Sequence, residues 1–277
     1  MKKMGIAIAI ILGLAVIQPV QASEVNTIAI IDTAMDVSKN SNVVYEACFT
    51  LATCPNGTNF QEGPGSANVS NWKIKGIEHG FNVSRSAVLT NPNIKIVFVR
   101  ISDVHVYPTF SAIHNSGTSL SRAIEWVSNN ASRLNIKAVS ISQSRSNFTA
   151  GTCPTDTVIE QSVQSLNSKG IAIFAATGNE SKKNMIGFPS CVPGVIAVGA
   201  VRPSLDLASY TNAGPGLDLV ARGDMNIVDY FGVNRTVTGT SIAAPIAATL
   251  STTRKVSSSW DEFITSLPKT KTYPYIG

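Results

Sequence analysis

Four side chains in this sequence have types and neighbours suited to nucleophilic acyl chemistry. Ser241 lies in Thr238-Gly239-Thr240-Ser241-Ile242-Ala243-Ala244-Pro245, where a tight turn leads into an apolar stretch of small residues. A hydroxyl there sits beside unpaired helix N–H groups and the positive end of the helix dipole, which favours an oxyanion forming next to it. His79, in Glu78-His79-Gly80 at the start of a second helical pattern, suits a general base because imidazole titrates near neutrality. Asp32 ends the apolar run Ile28-Ala29-Ile30-Ile31. Asn179 follows the apolar run Ile171-Ala172-Ile173-Phe174-Ala175-Ala176 and can donate its amide to a developing oxyanion. Losing such a donor typically costs roughly 3 kcal/mol of transition-state stabilisation. Taken singly, each has an ordinary explanation: a helix cap, a surface histidine, a Gly-Asn turn. Together they occur in the order Asp, His, Asn, Ser, each at a strand end or helix start, and that order separates one serine-hydrolase lineage from others. The remaining histidines, His105 and His114, lack such a context.

The elements that must position these groups are legible as alternating apolar runs and helical patterns. Strands are expected at about 27–32, 94–101, 136–142, 171–176 and 194–200, and helices at about 79–89, 118–133, 156–169 and 240–254. Continuous apolar strands alternating with helices predict an α/β fold in three layers, a mostly parallel central sheet with helices on both faces. In such sheets ligands bind beyond the carboxyl ends of the strands, which is where Asp32 and Asn179 fall. Segments near 53–68, 143–155, 181–194 and 202–216 are rich in Gly, Pro and Asn and read as surface loops. Trp260, Phe263 and Ile264 predict one last helix capping the core.

On these motifs the chain resembles the subtilisin-like serine peptidases, from about Thr27 to about Leu250. Ala123-Ile124-Glu125-Trp126, Phe188-Pro189, Val195 to Ala200 and Ala208 to Pro215 add to the resemblance. It implies a subtilisin-like three-layer fold and an endopeptidase mechanism. Asp32 would orient His79, His79 would take the proton from Ser241, and Asn179 with the Ser241 N–H would bind the oxyanion. It also implies that Ser142, Gln143 and Ser144 hold substrate backbone, with Glu180 beside the pocket. The sequence departs from the family pattern at several places. Ala34 replaces a glycine, so the backbone there must avoid positive φ. Phe81 and Asn82 follow His79-Gly80, and Phe81 is expected to rebuild the floor of the cleft. Ser144 replaces a second glycine and is expected to narrow a subsite, and Ile246 follows Pro245 where a histidine is common. Family calcium sites do not carry over, because their ligand segments do not match; Asp36 reads as a capping carboxylate. No cofactor is expected, and structural calcium, open to a member of this family, has no support in the sequence.

Residues 1–22 read as a secretory signal: Lys2 and Lys3, an apolar run from Ile6 to Ile17, and Val20-Gln21-Ala22 as the cleavage site. The apolar run is short for a membrane span of about 20 residues. Residues 23–277 are expected to form one catalytic domain, secreted or periplasmic through bacterial-type export, monomeric, and without stable membrane insertion. The first strand begins soon after the cleavage site, so folding is expected to need no pro-domain. The net charge of +5 includes the two signal lysines, and no basic stripe points to nucleic acid. Seven N-x-S/T sequons, two of them at Asn82 and Asn179, fit a host without that glycosylation.

Four cysteines fit an oxidising compartment and allow three connectivities. Cys48 and Cys54 can bridge locally across a turn-rich stretch, which leaves Cys153 and Cys191 to pair. In the family fold that second bridge would stiffen a pocket wall. Two further functions remain open on the same residues: acyl transfer or ester hydrolysis, and a catalytically weak peptide-binding protein that retains the cleft. Thiol titration of the native protein should find no free thiol, and reduction under denaturant should release all four.

Overall fold

The computed structural model describes residues 26–107, 109–146, 151–254 and 259–277. The expected signal segment lies outside them. Among the described residues the strands are β1 (Thr27–Asp32), β2 (Val43–Phe49), β3 (Phe60–Glu62), β4 (Lys95–Arg100), β5 (Ser102–Val106), β6 (Ser111–Asn115), β7 (Ile136–Ile141), β8 (Ala172–Ala176), β9 (Ile196–Val201), β10 (Leu219–Arg222), β11 (Asp224–Val228) and β12 (Asn234–Thr238). The α-helices among the same residues are α1 (His79–Thr90), α2 (Gly117–Asn130), α3 (Thr157–Ser168), α4 (Thr240–Ser251) and α5 (Trp260–Ser266).

The main sheet runs β10-β9-β8-β7-β1-β4-β2-β3. Every neighbouring pair is parallel except β2 with β3. After β1 the chain lays down β2 and β3 on one side, inserts β4 between β1 and β2, then crosses to build β7 to β10 on the other side. This reversal beside β1 opens a crevice at the carboxyl end of the strands. Asp32 stands there in register with Arg100 of β4.

Side chains alternate across β1 as a pleated strand requires. Ile28 and Ile30 pack with Phe98 and Phe174 under α1, α4 and α5, through Phe81, Ala244, Ala247 and Phe263. Ala29 and Ile31 face the opposite layer, where Leu120 and Ile124 of α2 and Ile159 and Val163 of α3 cover Val97, Val99 and Ile173. Continuous burial on both faces is what an apolar parallel strand provides. The expected last helix is α5, with Phe263 buried and Trp260 and Ile264 packed against the same core.

Some elements carry weaker sequence signals. β2 contains Glu46, buried and satisfied by the Gly65 and Ala67 amides at 2.8 and 3.1 Å. β5–β6 and β11–β12 are largely solvent-facing two-stranded hairpins. β3 falls inside the expected loop at 53–68. The backbone near the chain end lies along β10: the Val220 N–H donates to Pro274 O at 2.8 Å and the Ile276 N–H to Val220 O at 3.0 Å.

Buried Arg100 ties loops to the sheet. Its guanidinium donates to Asn68 O at 2.6 Å, Ser102 O at 3.1 Å and Thr53 Oγ1 at 3.3 Å. Burial lowers its pKa to about 10, against the opposing attraction of Asp103. Both disulfides form as expected, Cys48–Cys54 and Cys153–Cys191. They close loops of 6 and 38 residues. Chain-entropy arithmetic assigns these about 2 and about 4 kcal/mol respectively. Replacing Cys153 and Cys191 together by Ala should therefore lower the urea midpoint more than the same change at Cys48 and Cys54.

Candidate active site

Asp32 is fully buried at the end of β1. Its Oδ1 accepts from His79 Nδ1 at 2.7 Å, from the Thr33 N–H at 2.7 Å and from Gln143 Nε2 at 3.1 Å. Its Oδ2 has no hydrogen-bond partner. His79 opens α1, with its side chain 32% exposed toward the cleft. Thr33 clamps the chain around it: its Oγ1 donates to Ile77 O at 2.8 Å and accepts from the Gly80 N–H at 2.8 Å. Gly80 permits the close approach, since a Cβ there would lie 2.6 Å from both Ala34 O and Phe98. Ala34 is itself buried and stays out of the left-handed region, which Asn135, Ser181 and Leu205 enter. The loss of the family glycine at that position thus strains nothing.

Opposed forces set the His79 titration. Burial pulls the imidazole pKa down, while the charge of Asp32, its hydrogen bond and the charge of Glu78 raise it. The net result lies above the ordinary value of 6.5.

Ser241 is the second residue of α4. The helix contains Pro245, which has no N–H to give to the carbonyl four residues earlier, and that carbonyl belongs to Ser241. The Ser142 hydroxyl fills the vacancy, donating to Ser241 O at 2.8 Å. The Ser142 side chain thus ties the serine to the end of β7, while the residue still lines the cleft. Gly239 precedes the helix at φ 149°, and a Cβ there would come within 2.9 Å of Ser241 Oγ and 3.3 Å of Asn179 Nδ2. The missing side chain keeps open the space between hydroxyl and amide. Asn179 is oriented by its oxygen, which accepts from the Thr240 N–H at 2.9 Å and Thr240 Oγ1 at 3.0 Å.

His79, Asn179 and Ser241 line one cleft of about 350 Å³ with Ser142, Gln143, Ser144, Gly178 and Glu180. Asp32 lies behind His79, so the structure brings every expected site residue together. His79 is hydrogen-bonded to Asp32, while the described bonds include none between His79 and Ser241 Oγ. Catalytic bonds of this kind often tighten only with substrate in place.

Ser144 fills the room that a side chain on Gly187 would need, its Oγ buried and without a partner. The exposed Glu180 is drawn toward Asn212 Nδ2 at 2.6 Å. Phe81 does not rebuild the cleft floor. Two residues beyond His79 lies about 200° around a helix, so Phe81 points into the core, edge-on to Tyr230 at 5.7 Å. Asp36 caps a short turn by accepting from the Ser38 N–H at 3.0 Å. Among the described residues no group of three His, Cys, Asp or Glu side chains is placed to hold a metal. Sequence reasoning missed the Thr33 clamp, the exchange between Ser142 and Pro245, and the reach of Gln143 to Asp32. Only Pro245 carried a signal, a proline four residues after the serine inside a helical pattern.

The fold and the cleft define a class: a parallel α/β protein presenting a carboxylate–imidazole pair, a helix-borne serine and a free amide. Comparison with known proteins agrees. The family model described as the Subtilase family matches residues 24–260, and the chain belongs to that family. It is a subtilisin-like serine peptidase, a hydrolase. It is 26% identical over 238 residues to Subtilisin Savinase of Lederbergia lenta, covering 84% of this chain and 77% of that one. It is 30% identical over 229 residues to Subtilisin amylosacchariticus of Bacillus subtilis subsp. amylosacchariticus, covering 80% of this chain and 53% of that one. Among solved structures, proteases from Pseudoalteromonas arctica match with a TM-score of 0.62 at 18% identity, over 81% of this chain and 76% of that one.

Ser142→Ala strands a buried carbonyl and should destabilise the fold by about 1–3 kcal/mol. In a Pro245→Ala background, which restores the missing N–H, the same change should cost clearly less. A denaturation cycle of the four proteins measures the difference; equal costs would disprove the exchange.

Proposed function

We propose that the chain is an exported serine endopeptidase that cleaves polypeptides through an acyl-enzyme. The observation that carries this reading is the Asp32–His79 bond at 2.7 Å, with His79 sharing one cleft with Ser241 and Asn179. Ser241 Oγ attacks the scissile carbonyl as His79 Nε2 takes its proton. Asp32 holds Nδ1–H and stabilises the imidazolium. The oxyanion is received by Asn179 Nδ2 and the Ser241 N–H at the start of α4. His79 returns the proton to the leaving amine, and water then hydrolyses the ester by the same route.

The extracellular or periplasmic setting is supported by the signal-like residues 1–22 and by the two disulfides. Among the described residues no helix is long and apolar enough to cross a membrane.

A fluorophosphonate serine probe should label the wild type but neither Ser241→Ala nor His79→Ala. Each of these variants should lose about 10⁴ to 10⁶ in kcat. A folded wild type that resists labelling would favour a peptide-binding role. The base must be neutral to act, so kcat/KM should fall as pH drops through the raised His79 pKa, with its acid limb above pH 6.5. Asp32→Asn removes the main attraction and leaves burial in command, so imidazole NMR titration should find its midpoint lowered.

A further inference from the structure

Gln143 does more in this structure than border the cleft. Its side chain crosses to the triad and donates from Nε2 to Asp32 Oδ1 at 3.1 Å, with His79 Nδ1 3.4 Å away. Nδ1 must itself carry a proton to bond Asp32, so the Gln143 N–H belongs to the carboxylate. The amide is in turn oriented from the other side of the cleft. Asn115, the last residue of β6, donates from Nδ2 to Gln143 Oε1 at 2.5 Å. Asn115 Oδ1 accepts from the Ser102 hydroxyl at the start of β5. Donors and acceptors run in one direction, from Ser102 through Asn115 and Gln143 to Asp32.

We propose that Gln143, held by Asn115, is a positioning residue that fixes the Asp32 carboxylate and moderates its hold on His79. All three donors to this carboxylate meet on Oδ1, while Oδ2 is buried with none. A carboxylate held on one oxygen can pivot, and a third donor on that oxygen restrains the pivot. The same N–H shares the negative charge offered to the imidazolium, and its positive end lies near Nδ1. Both effects oppose protonation of His79. The other charged groups around His79 are Glu78, beside it in the chain, and Glu180, across the cleft. Neither bonds Gln143. The β5–β6 hairpin is thereby coupled to the catalytic base through two amides.

This inference rests on the catalytic reading for its kinetic part, and a spectroscopic readout judges it independently. Gln143→Met keeps the length and removes the N–H. In the folded variant, NMR titration of His79 should give a higher midpoint than wild type, and the acid limb of the pH–rate profile should move up with it. Near neutral pH kcat should fall roughly tenfold, the size expected for a hydrogen bond to a charged group, with KM little changed. Asn115 is exposed, so Asn115→Ala should fold and should shift His79 in the same direction by less. The double variant should match Gln143→Met alone, because the two act in series. An unchanged His79 midpoint in Gln143→Met, or full additivity of the two substitutions, would overturn the proposal. A wild type unreactive to the serine probe whose His79 midpoint still moves would count against peptidase activity and leave the bridge standing.

Discussion

A negative charge buried at the end of β1 is the constraint around which this molecule is organised. Asp32 has no exposure to water, and an unpaired carboxylate in such a place would be costly by several kcal/mol. The imidazole of His79 and two N–H groups meet it on a single oxygen. The partners arrive from three separate stretches: the residue after β1, the start of α1, and the segment after β7. Each must be delivered to within a few tenths of an ångström, and the fold is largely the means of delivery.

Delivery depends on how closely backbones approach. Gly80 brings α1 against Ala34 and Phe98, and Thr33 ties the turns before and after His79 to the end of β1. On the opposite bank, α4 is buried along nearly its whole length, so its first turn can hardly shift. Its rigidity is shared with the sheet through the Ser142 hydroxyl. The nucleophile therefore takes its position from β7 as well as from its own helix. Ser142 and Gln143 line the cleft, and their side chains also support other members of the site, Ser241 and Asp32. A segment that presents its backbone to the cleft can spend its side chains on the machinery behind it.

Much of this was legible in the residues. Strands buried on both faces leave continuous apolar runs, so β1, β4, β7, β8 and β9 were found close to their observed ends. β2 was not, because Glu46 and Tyr45 interrupt its apolar pattern and the burial of Glu46 depends on amides from a distant loop. The hairpins β5–β6 and β11–β12 escaped notice because half-exposed strands look like loops when their partners are unknown. In the site, residue types and order pointed to Asp32, His79, Asn179 and Ser241. The direction of Phe81 was misjudged because neighbours of a motif seem to share its location, whereas a helix turns them away within two residues. Gln143 was placed beside the cleft, but its bond to Asp32 required knowing that the β5–β6 hairpin stands opposite.

The backbone strip from Pro274 to Ile276 closes one side of the sheet by bonding to Val220. Parallel strands ending at an uncovered border invite lateral recruitment of other polypeptides. A few residues far from any chemistry thus act as selvedge, keeping the weave from being extended by a neighbour. The opposite border is treated differently, finished by the three-residue β3 running against the grain.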